Sequence, residues 1–336
     1  MHSSQTATDN GIPACVRALA AADFTHIAGS FANAGCTVRL PAHGILQLSP
    51  QERLSQRARL LLSVGIHGDE TAPVEMLAHL LNELAHDPQA LALDLMVVVG
   101  NPAAISQGKR FIDADLNRMF SDGHGALQAA AEAGRADEIM RATGNFFAGG
   151  DAETWHLDLH TAIRPSHYPA FAVVPDIIAD TRKSALLAYL GRAGIGAAIL
   201  NRKSAGTYSA YTASMFGAVS ATVELGQVGA LGANDLNRFA DARAVLDDFI
   251  RFGRVPAGGY TPQVFRVVQE LVKHSDAFRM TVGRNTWNFT EMQPGSVIAE
   301  DGDIVYRVGA VPEYLVFPNP DVRNGLRAGL MVVREE

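Results

Sequence analysis

The chain has 336 residues, of which 48% are hydrophobic and 19% charged, with a formal net charge of −7. This is a globular composition long enough for one large domain and a smaller one. The acidic balance excludes partners such as nucleic acid that reward a broad basic surface.

The polar start, Met1 to Asn10, lacks the basic-then-apolar order of a signal peptide and is expected to be disordered. Two cysteines, Cys15 and Cys36, suit a reducing cytoplasm better than a disulfide scaffold. Arg59 to Ile66 reads as a short buried strand ending at a His-Gly turn. Thr71 to His86 follows with the helical spacing of Val74, Leu77, Leu80, Leu81 and Leu84. Leu91 to Val99 is a second buried strand, stopped by Gly100-Asn101-Pro102, and alanine-rich Gly125 to Phe147 reads mostly as helix. Strands at Trp155 to Leu159, Ala170 to Val174, Ala197 to Leu200 and Ala218 to Leu225 alternate with helices at Thr181 to Arg192 and Asn234 to Phe252. That alternation predicts a three-layer α/β domain with a parallel or mixed sheet.

Near Val255-Pro256-Ala257-Gly258-Gly259 the pattern changes. Short runs at Phe265 to Val268, Phe278 to Val282, Asp303 to Val308 and Glu313 to Phe317 are broken by Gly and Pro. They predict a smaller β-rich C-terminal domain, a sandwich or partial barrel. The expected division is 1–256 and 257–336. No run approaches the roughly 20 apolar residues of a membrane span.

Sites in α/β sheets gather where strands end. The first strand ends in Gly65-Ile66-His67-Gly68-Asp69-Glu70, so one turn can aim an imidazole and a carboxylate at a common point. A second ends in Leu157-Asp158-Leu159-His160-Thr161, which adds another imidazole. Two His and one Glu, here His67, Glu70 and His160, are the ligand set of a catalytic zinc with an open fourth position. Asp158 is a candidate to orient one ligand. Glu224, at the end of the apolar strand Thr222-Val223-Glu224-Leu225, would be costly to bury without a partner or a task. Beside a zinc-bound water that task is general base and then general acid. Between these segments, Gly108-Lys109-Arg110-Phe111 and Asp113 to Phe120 read as a loop holding guanidiniums for anions, and Arg164 adds a further one. Only four of the 28 basic residues are lysine, and Arg suits bidentate binding of carboxylates.

Five segments together resemble the succinylglutamate desuccinylase/aspartoacylase family, a branch of the zinc carboxypeptidase-like hydrolases. They are GIHGDETAPVEML (65–77), NPAAI (101–105), GKRFIDADLNRMF (108–120), DLHTAIR (158–164) and VELGQVGALGANDLNRF (223–239), in the family's order. DLHTAIR and the ELG…NDL tail look closer to the desuccinylase branch. The resemblance implies a zinc-carboxypeptidase-like mixed-sheet domain and one zinc per subunit, ligated by His67, Glu70 and His160. It implies Glu224 as the catalytic carboxylate and Arg110 polarising the scissile carbonyl. Asn117 and Arg118 would hold a substrate carboxylate, with Arg164 as a second anchor. The implied reaction is hydrolysis of the small molecule N-succinyl-L-glutamate to succinate and L-glutamate, closing arginine catabolism by the succinyltransferase route. Asp69 departs from the family's usual Asn, which bears on pH optimum and metal affinity. The alternatives are a deacylase of another N-acyl amino acid, such as N-acetylaspartate, a peptidase, or a non-catalytic zinc-binding protein. Oligomeric state is not legible.

Overall fold

Unbroken apolar runs such as Leu60-Leu61-Leu62 and Val97-Val98-Val99 have no polar face to offer water, so they suit strands covered by helices on both sides. The structure, a computed structural model, describes residues 11–52, 57–149, 152–203, 206–255 and 259–335. The expected disorder of Met1 to Asn10 and the expected boundary at 256/257 lie outside the described residues.

The N-terminal strands are β1 (Thr37–Ala42), β2 (Ile45–Ser49), β3 (Arg59–Val64), β4 (Asp94–Val99), β5 (Thr154–Ala162), β6 (Ala170–Pro175), β7 (Ala197–Asn201) and β8 (Val219–Gln227). They are followed by β9 (Gln263–Val272), β10 (Arg279–Met280), β11 (Thr290–Met292), β12 (Val297–Asp301), β13 (Ile304–Arg307), β14 (Glu313–Val316) and β15 (Arg327–Arg334). Twelve of them form one mixed sheet in the order β1-β2-β4-β3-β5-β8-β6-β7-β9-β15-β14-β11. A small sheet, β10-β12-β13, lies beside it.

Helices α1 (Ala14–Ala20), α2 (Thr25–Asn33), α3 (Thr71–His86), α6 (Asp180–Arg192) and α8 (Ala240–Phe252) pack on one face of the N-terminal sheet through a core that includes Phe31, Leu77, Leu190 and Phe249. The short α4 (Pro102–Ser106) follows β4, and α5 (Ala133–Phe147) and α7 (Tyr208–Phe216) cover the other face, with Ile139, Phe147 and Tyr208 in a second core. This is the three-layer arrangement expected from the alternation of strands and helices. No described helix is long and apolar enough to cross a membrane.

Several elements differ from the sequence reading. Gly125 to Phe147 divides into a turn at Gly125–Leu127 and α5, and Asn234 to Phe252 into a turn at Leu236–Phe239 and α8. Helices α1 and α2, of 7 and 9 residues, are too short to display a period. Helix α7 escapes the pattern because the face it buries carries Tyr208, Ser209 and Thr212 rather than an apolar stripe.

The β-rich C-terminal segment extends the main sheet. Strand β9 runs parallel to β7 from Ala197↔Gln263 to Leu200↔Arg266, and β15 and β14 continue from it antiparallel. Edge-to-face aromatic contacts seal this junction, with Phe289 5.1 Å from Phe171 and 4.9 Å from Tyr168. Asp176, at the start of the loop after β6, binds Lys183 of α6, Arg202 (3.0 Å) and Arg266 of β9 (3.3 Å). The strands that carry the candidate residues therefore sit mid-sheet, braced on both flanks.

Trp155 of β5 is 1% exposed and lies 5.2 Å from Phe249 and 5.9 Å from Tyr189. Its removal should leave a cavity that cannot collapse, so Trp155→Ala should lower unfolding free energy by about 3–5 kcal/mol. Denaturant titration checks this, and a loss below about 1 kcal/mol would mean the aromatic layer is not rigid.

Candidate active site

Alternate residues of a strand turn to opposite faces, and β3, β5 and β8 lie side by side. Leu60, Leu62, Leu157, Leu159, Ala221 and Val223 enter the core beneath α3, α6 and α8. The intervening residues Ser63, His156, Asp158, His160, Ser220, Thr222 and Glu224 share the opposite face, and all are buried. Buried polar groups need partners. Ser63 bonds His156 (2.8 Å) and donates to Asp158 (2.5 Å), His156 meets the Thr212 hydroxyl (2.8 Å), and Ser209 meets Thr222 (2.7 Å). The polar face of α7 thus matches a polar stripe on the sheet, and sheet register places His160 directly beside Glu224.

His67 and Glu70 stand in the turn between β3 and α3. Gly68 makes this turn possible, because a Cβ there would fall 2.3 Å from the backbone of Ala104 and Ile105. His67, Glu70 and His160 come together with one ligand atom of each within 4.8 Å of the others. His67 Nδ1 lies 2.9 Å from Glu70 Oε1, and His160 Nδ1 lies 2.8 Å from Glu70 Oε2. The far nitrogens are held by carboxylates, His67 Nε2 by Asp115 (2.9 Å) and His160 Nε2 by Asp158 (2.9 Å). A carboxylate behind each imidazole fixes ring orientation and tautomer for metal ligation. Asp158 was legible as a candidate for this role. Asp115 was not singled out, since its partner stands 48 residues away in sequence.

Partners decide protonation here. Burial alone would strip the proton from both imidazoles, but Glu70 and Asp115 around His67, and Asp158 and Glu70 around His160, hold both above the ordinary histidine range. His156, equally buried but hydrogen-bonded to hydroxyls, is pushed down by burial to about 4 and stays neutral. Glu224 is pushed up to about 7 by burial and by the charge of Glu70, and its Oε2 has no hydrogen-bond partner among the described residues.

The remaining candidates surround the cluster. Arg110 donates to Glu70 Oε1 at 2.7 Å, and Asn117 Nδ2 lies 3.5 Å from His160 Nε2. Arg118 donates to the Asn117 carbonyl at 2.7 Å, leaving much of its guanidinium open to a cavity of about 820 Å³. His67, Glu70, Arg110, Asn117, Arg118, His160, Arg164 and Glu224 all line this cavity. Asp69 does not line it. Burial pushes its carboxyl up against the opposing pull of Arg110.

Two further features are not legible in the sequence. Glu132, buried, accepts from the backbone N–H groups of Ile112 (2.6 Å), Asp113 (3.2 Å) and Ala114 (3.1 Å), so it shapes the loop that presents Arg110, Asp115 and Asn117. Arg327, from β15, brings the C-terminal segment into the cavity wall.

The chain matches the Succinylglutamate desuccinylase/Aspartoacylase catalytic domain over residues 56–250 and the AstE/AspA barrel-sandwich hybrid domain over residues 260–335. It is 42% identical over 293 residues to the succinylglutamate desuccinylase of Burkholderia thailandensis, covering 86% of this chain and 84% of that one. The solved structure of succinylglutamate desuccinylase from Vibrio parahaemolyticus superposes with a TM-score of 0.82 at 30% identity, covering 90% of this chain and 89% of that one. The one from Chromobacterium violaceum superposes at 0.78 and 33% identity, covering 93% and 98%.

If Asp115 and Asp158 orient the imidazoles, Asp115→Asn and Asp158→Asn should each weaken divalent-metal affinity by about 10–100-fold, measured by chelator competition. Unchanged affinity would assign them a packing role only. The raised His67 and His160 values set a sign for pH. Within that raised range both rings hold protons that an incoming cation must displace, so affinity should climb as pH rises above the ordinary histidine range. Calorimetry in buffers of different ionisation enthalpy should show proton release on metal binding, and its absence would contradict this electrostatic reading.

Proposed function

The chain belongs to the succinylglutamate desuccinylase/aspartoacylase family, and from that premise we propose that it hydrolyses N-succinyl-L-glutamate to succinate and L-glutamate at a zinc site made by His67, Glu70 and His160. The observation that carries this reading is Glu224. It is a buried carboxylate facing the His–Glu–His cluster, with an unbonded oxygen and a proton affinity raised to about 7. A carboxylate at that value both accepts and returns a proton near neutrality.

The donor set of two imidazoles and one carboxylate, each imidazole backed by a further carboxylate, fits zinc with an open coordination position. When bound, zinc supplies a Lewis acid that polarises a carbonyl and lowers the pKa of water to about 7. The chain's own groups do the rest. Glu224 takes a proton from the attacking water as its oxygen bonds to the succinyl amide carbon, and Arg110 donates hydrogen bonds to the carbonyl oxygen as it becomes an oxyanion. Glu224 then delivers the proton to the amide nitrogen, the C–N bond breaks, and glutamate leaves as the amine. Asn117 and Arg118 hold a substrate carboxylate beside the cluster, and Arg164 anchors a second from the cavity wall. Three carboxylates on the substrate suit a cavity with several guanidiniums in an acidic protein.

The reading includes one zinc per subunit, two units at 1–256 and 257–336, and a cytoplasmic enzyme that closes arginine catabolism by the succinyltransferase route. The two matched family domains and the low cysteine count support it.

The first test is release of free glutamate from N-succinylglutamate, beside N-acetylaspartate and N-acetylglutamate, with and without chelator. Chelator-sensitive preference for the succinyl substrate is expected. Turnover of an acetyl substrate alone would overturn the acyl assignment, and zinc binding without any turnover would point to a non-catalytic protein. Glu224→Gln should retain zinc and lose at least about 10³-fold in kcat. Unchanged kcat, or a variant that no longer binds metal, would make Glu224 structural.

A further inference from the structure

The cavity wall contributed by the C-terminal segment carries a charge that the protein does not neutralise. Arg327 opens β15, is half-buried, and lines the same cavity as the His–Glu–His cluster. Its guanidinium makes no hydrogen bond or ion pair with any described residue. It lies over the Phe317 ring, whose centroid is 6.0 Å away. The two carboxylates that act on it electrostatically are both committed elsewhere, Glu270 to Lys203 (3.1 Å) and Asp115 to His67 (2.9 Å). Arg118 acts on it as a neighbouring like charge. Burial first, and Arg118 second, lower its proton affinity to about 10.

The surrounding backbone is built to hold this wall. Phe317 has a left-handed φ of +55°, an uncommon conformation for a bulky residue. It is kept there by Asn288, fully buried, whose Oδ1 accepts from the Phe317 N–H at 2.7 Å. The same asparagine donates to the Arg164 carbonyl at 3.3 Å, which ties the C-terminal wall to the loop after β5.

Two guanidiniums that line one cavity repel, and neither forms an ion pair with a described carboxylate, so an anion bound between them relieves the repulsion. The neighbour, Arg118, follows Asn117, whose amide is 3.5 Å from His160, so Arg118 serves the carboxylate closest to the scissile amide. In an N-acylglutamate that is the α-carboxylate, attached to the carbon that bears the amide nitrogen. The second carboxylate of the same amino acid lies three carbons along, within reach of an adjacent guanidinium.

We propose that Arg327 is a specificity-determining residue that binds the side-chain carboxylate of the glutamate half of the substrate, while Arg118 takes the α-carboxylate. The inference rests on the desuccinylase reading above and deepens it. A C-terminal segment that closes the cavity thereby selects a dicarboxylic amino acid as the leaving group.

The test compares wild type, Arg327→Met and Arg327→Lys on N-succinylglutamate and N-succinylglutamine, with zinc content and melting temperature recorded for each. Removing one partner of a desolvated charge pair should lower kcat/KM of Arg327→Met for N-succinylglutamate by about 100-fold or more, mostly through KM. N-succinylglutamine, which lacks the carboxylate, should lose less than about threefold. Arg327→Lys should fall between, keeping the charge without the planar fork. Calorimetry should show L-glutamate binding to the wild type and weakening in Arg327→Met, with no such change for L-glutamine. Equal losses on both substrates, or no loss on either, would overturn the assignment. A wild type that turns over neither substrate would instead overturn the function proposed above and leave the calorimetric comparison to judge Arg327.

Discussion

The Glu70 carboxylate is the constraint on which the site depends. One oxygen faces His67 and Arg110, and the other faces His160 and the backbone N–H of Thr161. A carboxylate buried this deeply needs compensation on both oxygens. The protein supplies it from the turn after β3, from a loop forty residues on, and from the end of β5. Burial works against its charge, yet the two imidazoles hold it well below the ordinary carboxylate range. In this arrangement each of the three candidate ligands is paired with another of them.

Sheet register carries that arrangement outward. Because side chains alternate, a single polar stripe on β3, β5 and β8 runs from Ser63 and His156 through Asp158 to His160 and Glu224. At its inner end hydroxyls and neutral groups satisfy one another, and His156 stays neutral. At the outer end carboxylates take over, Asp158 and Glu70 hold His160 above the ordinary histidine range, and Glu224 retains an unbonded oxygen. Two histidines four residues apart on one strand therefore differ in chemistry through their partners, not through depth.

The C-terminal strands matter for a different reason. By extending the main sheet beyond β7 they add a wall to the cavity, and Asn288 locks Phe317 and the loop after β5 onto it. Residues from the N-terminal and C-terminal segments then line one cavity, so its extent is a property of the joined sheet rather than of either segment.

Much of this was legible in the sequence. Apolar runs and their spacing gave the central strands and α3, and strand ends marked His67, Glu70, His160 and Glu224, because a polar group that closes an apolar strand needs a reason to be there. Motif order gave the family. Helix α7 and the hydroxyl-lined stripe beneath it were hidden, since a buried polar face imitates a loop until the matching face is seen. Asp115, Glu132 and Arg327 were hidden because their meaning lies in partners distant along the chain. An isolated arginine at the start of an edge-proximal strand reads as a solvated charge. Sequence by itself determined which side chains are candidates for the chemistry, since residue type and local period are one-dimensional properties. Tertiary structure alone decided which charges meet and which are left unpaired, since that depends on register and on the joining of segments remote in the chain.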